Sequence, residues 1–274
     1  MTWARFHASC RRHINRPGSR FSDTMEFYQS GASATLFGAV PGAGALPGRL
    51  MARLVRMADD AAREDALRVY AGLDFDAIVA KPVGIKRMAI YLAVLALCCI
   101  AMVSVFALFV FPELALHFQG TGMDLGQGPL AWQNHLPWVV AVVALVCVVV
   151  VVQAMALGRL LEFRLDPGGR SVLWAVLTPS LRKRYGLLEG VICAPMPEAQ
   201  VEEARRELQG LWAQGLRWQD ELPGLVRVQA GLLAASADRQ AKWLLAIMGI
   251  VIVACVSTFV LGVYTPVFRM GGGI

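Results

Sequence analysis

Apolar residues along the chain fall into two kinds of run. Three stretches are apolar and free of charge: "MAIYLAVLALCCIAMVSVFALFVF" from residue 88 to 111, "WVVAVVALVCVVVVVQAMALG" from 138 to 158, and "WLLAIMGIVIVACVSTFVLGVYTPVF" from 243 to 268. A helix rises about 1.5 Å per residue, so about 20 apolar residues cross a hydrocarbon core. Each stretch therefore predicts a transmembrane helix. Buried helices of soluble proteins rarely run so long without a charge.

The other runs are periodic. In 46–73, Leu50, Leu54, Met57, Ala58, Ala61, Ala62, Val69 and Leu73 recur at intervals of three and four with arginines and aspartates between them, which predicts one amphipathic helix closed near Gly72. Beyond Pro197, Val201, Ala204, Leu208, Leu211, Gly215, Trp218 and Leu222 alternate steps of four and three. That stripe reads as a seam for another helix, either within the same domain or on a partner subunit. Val201, Leu208, Leu211, Trp218 and Leu222 are the partner-contact candidates.

These runs predict an all-α membrane protein with three transmembrane helices and two small cytoplasmic helical segments. In chain order it has a basic, disordered head (1–25), a cytoplasmic helical segment (26–87), a span (88–111), an external loop (112–137), a second span (138–158), a cytoplasmic helical domain (159–242), a third span (243–268) and an external tail (269–274). Arg16-Pro17-Gly18 is expected to break any helix in the head, whose alternative to disorder is to lie on the membrane surface, and Met25 is an alternative start.

Composition agrees: 57% of the 274 residues are hydrophobic, 17% are charged, and mean hydropathy is +0.53. Orientation follows from the bases. Residues 1–87 hold 13 lysines and arginines, 112–137 none, 159–242 twelve, and the tail only Arg269. By the positive-inside tendency the N-terminus and both large segments are cytoplasmic and the C-terminus is external. Lys86, Arg87, Arg159 and Lys242 flank the spans, where anionic lipid favours them, so the net charge of +6 needs no nucleic-acid partner.

Chemistry-bearing residues are dispersed in the sequence. His7, His13, His117 and His135 form no metal-binding pair. Cys98, Cys99, Cys147 and Cys255 lie in spans and Cys10 and Cys193 in cytoplasmic parts; all read as packing thiols. The glycine-rich stretch before residue 50 lacks the lysine and hydroxyl of a phosphate loop, no nucleophile elbow is present, and the spans carry no ionisable group. A non-enzymatic protein without cofactor or metal is expected.

The order of segments resembles the inner-membrane platform proteins of type IV pilus and type II secretion systems. Two local patterns carry the resemblance. Tyr264, Pro266 and Phe268 stand in "GVYTPVFRM" at the end of the third span, and Val110, Pro112, Phe118 and Gly122 in "VFPELALHFQGTG" look like the family's proline exit from its first span. The family's glycine-glutamate-x-serine-glycine signature is absent and the cytoplasmic parts are short, as in a divergent member. The resemblance implies a scaffold in the bacterial inner membrane, working as an oligomer of itself. Its partners would be a cytoplasmic secretion or pilus ATPase, other inner-membrane assembly proteins, and pilin or pseudopilin. The alternatives are a small transport permease, an accessory subunit of a transporter, or a membrane-anchored interaction protein outside secretion.

Overall fold

The computed structural model describes residues 3–16, 18, 20–30, 34–37, 40–42, 44–78, 83–110, 112–113, 116, 127–165, 172–196, 206, 209–210, 214–215 and 217–271. Among them there is no strand. The helices are α1 (Ala4–Ile14), α2 (Phe21–Gln29), α3 (Ala34–Phe37), α4 (Leu46–Arg56), α5 (Asp60–Gly72), α6 (Phe75–Ile78), α7 (Val83–Val105), α8 (Gln127–Leu161), α9 (Val172–Val176), α10 (Pro179–Ile192) and α11 (Trp218–Gly271). A π-helical turn, Phe106–Val110, continues α7. The chain divides into two compact units: Met1–Val83 with Ala156–Asp238, and Gly84–Met155 with Arg239–Ile274.

The first unit corrects the expectation of a disordered head. Trp3, Phe6, His7 and Cys10 repeat at three, one and three, the spacing of one helical face, and all four are buried. This stripe packs α1 against α5. Pro17 and Gly18 follow the helix and so interrupt nothing. Gly18 takes φ 85, a left-handed conformation in which glycine has no Cβ to clash. Arg11, Arg12 and His13 occupy the last turn of α1, where the helix dipole favours positive charge.

A second correction concerns 46–73, which is two helices. Met57 and Asp59 adopt extended ψ values of 122 and 111. The Asp59 carboxylate then accepts from the Ala61 N–H at 2.9 Å, so the chain restarts as α5 with a capped end. Arg63 donates to the Met57 carbonyl at 3.1 Å across the break. The expected stripe divides at this corner: Leu50, Leu54 and Met57 are buried, whereas Ala58 and Ala61 are exposed and the buried face of α5 is Ala66, Leu67 and Tyr70.

Three helices are long and apolar enough to cross a membrane, over Ile90–Val110, Trp138–Leu161 and Gln219–Thr258. Their boundaries differ from those expected. α7 begins at Val83 and Pro112 follows its π-turn, in keeping with a proline that cannot continue the ladder. α8 begins at Gln127, so 127–137 of the expected external loop are helical. α11 starts at Trp218 and passes through Pro223 and Lys242 without a break, so neither residue separates a cytoplasmic helix from a third span. Pro223 lies in the second turn of α11 and removes a single ladder donor. In the second unit Ile90, Leu97, Leu145, Ile250 and Val253 are each more than 60% exposed. Exposed apolar positions of this kind mark contact with a membrane or with another protein.

Along α11 the buried positions are Leu222, Val226, Ala230, Leu233, Ala237, Ala241, Leu244 and Met248, in steps of four, four and three. That is an eleven-residue repeat of about 3.67 residues per turn, close to the natural 3.6 and distinct from the heptad spacing. Alanines at three of the eight positions keep the stripe narrow.

Candidate functional site

Polar chemistry in the first unit is concentrated inside it. The α1 stripe meets Tyr70 of α5, Phe75 of α6 and Phe163 after α8. Trp3 lies 4.7 Å from Phe75 and 5.6 Å from Phe163 between ring centroids, and Phe6 meets Tyr70 edge-on at 5.3 Å. Phe163 holds φ 56. Its carbonyl accepts from the Leu46 N–H at 2.8 Å, which satisfies one of the free donors opening α4.

His7 is fixed within this cluster by two backbone groups. Nδ1 contacts the Tyr70 carbonyl at 2.9 Å, and the Phe75 N–H points at Nε2 at 3.1 Å. A carbonyl only accepts and an N–H only donates, so the imidazole is neutral with its proton on Nδ1. Desolvation by burial lowers its pKa below the ordinary 6.5, although the Tyr70 carbonyl and Asp74 act the other way. Arg5, fully buried, donates through Nη1 to the carbonyls of Tyr28 at 3.1 Å and Ser30 at 2.6 Å. These oxygens end α2, so a buried cation is held at the negative end of a helix dipole.

A second network joins α4 to α10. Glu189 receives Arg49 on Oε2 at 3.0 Å and Arg53 on Oε1 at 3.4 Å; the Glu189 side chain is 7% exposed, Arg49 12% and Arg53 36%. Arg53 also lies 2.9 Å from the Cys193 Sγ, and Arg49 3.4 Å from the Tyr185 hydroxyl. Tyr185 donates to the Leu165 carbonyl at 3.2 Å and Tyr70 to the Ile192 carbonyl at 2.8 Å. Burial pushes the Cys193 thiol up to about 12 despite Arg53, and the Cys10 thiol likewise. Burial also raises Tyr70 well above its ordinary value. The network clamps elements about 140 residues apart in sequence.

The surface of this unit holds a half-open cleft of about 350 Å³ between α1 and α2, lined by Arg12, Arg16, Asp23, Thr24, Glu26, Phe27 and Ser30. The Arg12 guanidinium sits over the Phe27 ring at 4.6 Å. Val55 on α4 and Val172 on α9 are exposed apolar positions. Among the described residues no group of three or more histidines, cysteines, aspartates or glutamates is placed to hold a metal ion.

Of the residues singled out from sequence, Val201, Leu208 and Leu211 lie outside the described residues, as do Phe118 and Gly122. Trp218 opens α11, and Leu222, fully buried, begins its inner stripe. Val110 closes the π-turn and Pro112 is exposed beyond it. Tyr264, Pro266 and Phe268 lie in the last turns of α11.

Sequence reasoning passed over Arg5, His7, Arg49, Arg53 and Glu189. A signal existed for the last: Leu181, Tyr185, Leu188, Glu189 and Ile192 form one face, and an acid on an apolar face asks for a buried partner. Comparison of the chain with protein-family models, curated proteins and solved structures finds no match.

Proposed function

We propose that this chain is the inner-membrane platform of a type IV pilus or type II secretion machine, coupling a cytoplasmic assembly ATPase to the insertion of pilin into a fibre. One observation carries the reading. The two base-rich segments, 1–83 and 156–238, are separated in sequence by two apolar helices yet fold into one unit. A three-span topology with the N-terminus in the cytoplasm puts both segments on the same side, where 25 of the 26 lysines and arginines then lie. The resemblance of the segment order and of Tyr264, Pro266 and Phe268 to the platform family supplies the rest.

In this role the chain hydrolyses nothing. The first unit is clamped by Glu189 and its arginines and by His7, so a push on α4 or α10 moves several elements together. A partner that binds two states of this unit with different affinity would shift it between them. The test is deletion of the gene and complementation. Loss of fibre assembly or secretion, with pilin and ATPase still present at normal levels, is the expected result. Intact fibres together with loss of uptake of a solute would instead indicate a transport subunit.

A further inference from the structure

Three helices of the second unit each bring one cysteine to a common level. Cys99 of α7 and Cys255 of α11 face each other with 3.8 Å between their sulfurs, and Cys147 of α8 lies near Cys99. Cys147 and Cys99 are buried, 1% and 5% exposed, whereas Cys255 is half-buried between exposed Ala254 and Val256. An outer thiol therefore stands against an inner one. A disulfide needs its sulfurs at about 2.05 Å, so closing this pair takes a shift of about 1.8 Å.

We propose that Cys255 and Cys99 form an oxidisable dithiol whose oxidant is a lipid-soluble hydroperoxide, closing a disulfide between α7 and α11. The inference takes the three apolar helices as spans, and it does not depend on the assembly role. Of the facing pair, Cys255 is the thiol open to the surroundings of the helices, as Cys98 on α7 also is. Its sulfur attacks the terminal oxygen of the hydroperoxide, the O–O bond breaks, and the departing alkoxide takes the thiol proton and leaves as an alcohol. The resulting sulfenic acid lies beside Cys99. The Cys99 sulfur attacks Sγ of Cys255, the S–O bond breaks, and hydroxide leaves with the Cys99 proton as water. Two thiols are oxidised by two electrons and one hydroperoxide is reduced. Cys147, 1% exposed, takes no part in the first step.

The experiment uses the full chain in its own membranes, treated with cumene hydroperoxide, digested without reduction and read by mass spectrometry. The expected product is a disulfide within one chain joining the peptides of Cys99 and Cys255, with the loss of two thiols. Cys147→Ala keeps this product. Cys255→Ala abolishes it, and Cys99→Ala leaves a sulfenic acid on Cys255 that dimedone traps. A Cys99–Cys147 disulfide as the main product, consumption of Cys98 alone, or retention of all thiols would overturn the proposal. Because alanine is smaller than cysteine at sites within the helices, the yield of each variant in the membrane fraction is compared with wild type; trapped Cys255 sulfenic acid in Cys99→Ser, matching Cys99→Ala, supports the assigned order of the two thiols, and its absence there contradicts it.

Discussion

The backbone N–H of Phe75 donates to Nε2 of His7 across 3.1 Å, and this bond exists only while the imidazole is neutral. The folded pKa lies below the unfolded value of 6.5, so the unfolded chain binds the proton first as pH falls. Stability from this group is therefore complete above about pH 6.5 and is lost below it, levelling off once the folded imidazole protonates as well. His7→Phe leaves the Tyr70 carbonyl and Phe75 N–H without their partner, at a cost of about 1–3 kcal/mol at neutral pH. Thermal unfolding of both proteins in detergent should show the gap between them narrowing below pH ~6.5. A gap that widens on acidification would contradict the neutral assignment.

Breaking the clamp between α4 and α10 should cost more. In Glu189→Gln the carboxylate facing Arg49 and Arg53 loses its charge while Arg49 stays largely buried, and removal of one side of a buried ion pair costs about 3–5 kcal/mol. Arg53→Met should cost less, because Arg53 is the more exposed partner. Limited proteolysis of membranes reads the difference as faster cleavage within 46–72 in the glutamine variant. Equal resistance in both variants would mean that the pair holds nothing.

The inner stripe of α11 makes a positional prediction. Leu233 is 1% exposed and Leu232 is 44% exposed, one residue apart. Leu233→Ala should lose about 2–5 kcal/mol and Leu232→Ala well under half of that. A heptad reading extended from Leu208, Leu211 and Leu222 would put the next inner positions at 225 and 229. Both are half-buried here, against the fully buried Val226.

The apolar helices were legible because composition alone determines them: 18 or more residues without a charge leave few alternatives. Their ends were not. Pro223 does not mark an end, because a helix already in its second turn gives up one bond there and continues. Met57 to Asp59 hid a corner because periodicity reports which face is apolar and says nothing about the direction of the axis. The buried polar groups were the least legible. Arg5, Arg49 and Arg53 look like solvated bases until the chain folds a helix terminus or a glutamate from 140 residues away against them. The head was hard to read for a related reason: Pro17 and Gly18 break a helix only if one reaches them, and α1 ends at Ile14 with Trp3, Phe6, His7 and Cys10 sharing one face.

Topology is tested with reporter fusions. A fusion after residue 125 should give a periplasmic signal and one after residue 200 a cytoplasmic signal, because the bases fall on the two segments that fold together. A cytoplasmic signal from the first fusion would invert the assignment and remove the basis for an ATPase contact.

The coupling role itself is tested most directly by contact with the ATPase. A photo-cross-linking amino acid at exposed Val55 of α4, and another at exposed Lys183 of α10, would be placed in the full chain in cells that assemble fibres. The account predicts cross-links from at least one of the two sites to the assembly ATPase of the same machine, with a yield that changes when its nucleotide hydrolysis is blocked. Cross-links from both sites to a solute-transport subunit, or none to the ATPase while fibres are being assembled, would contradict it.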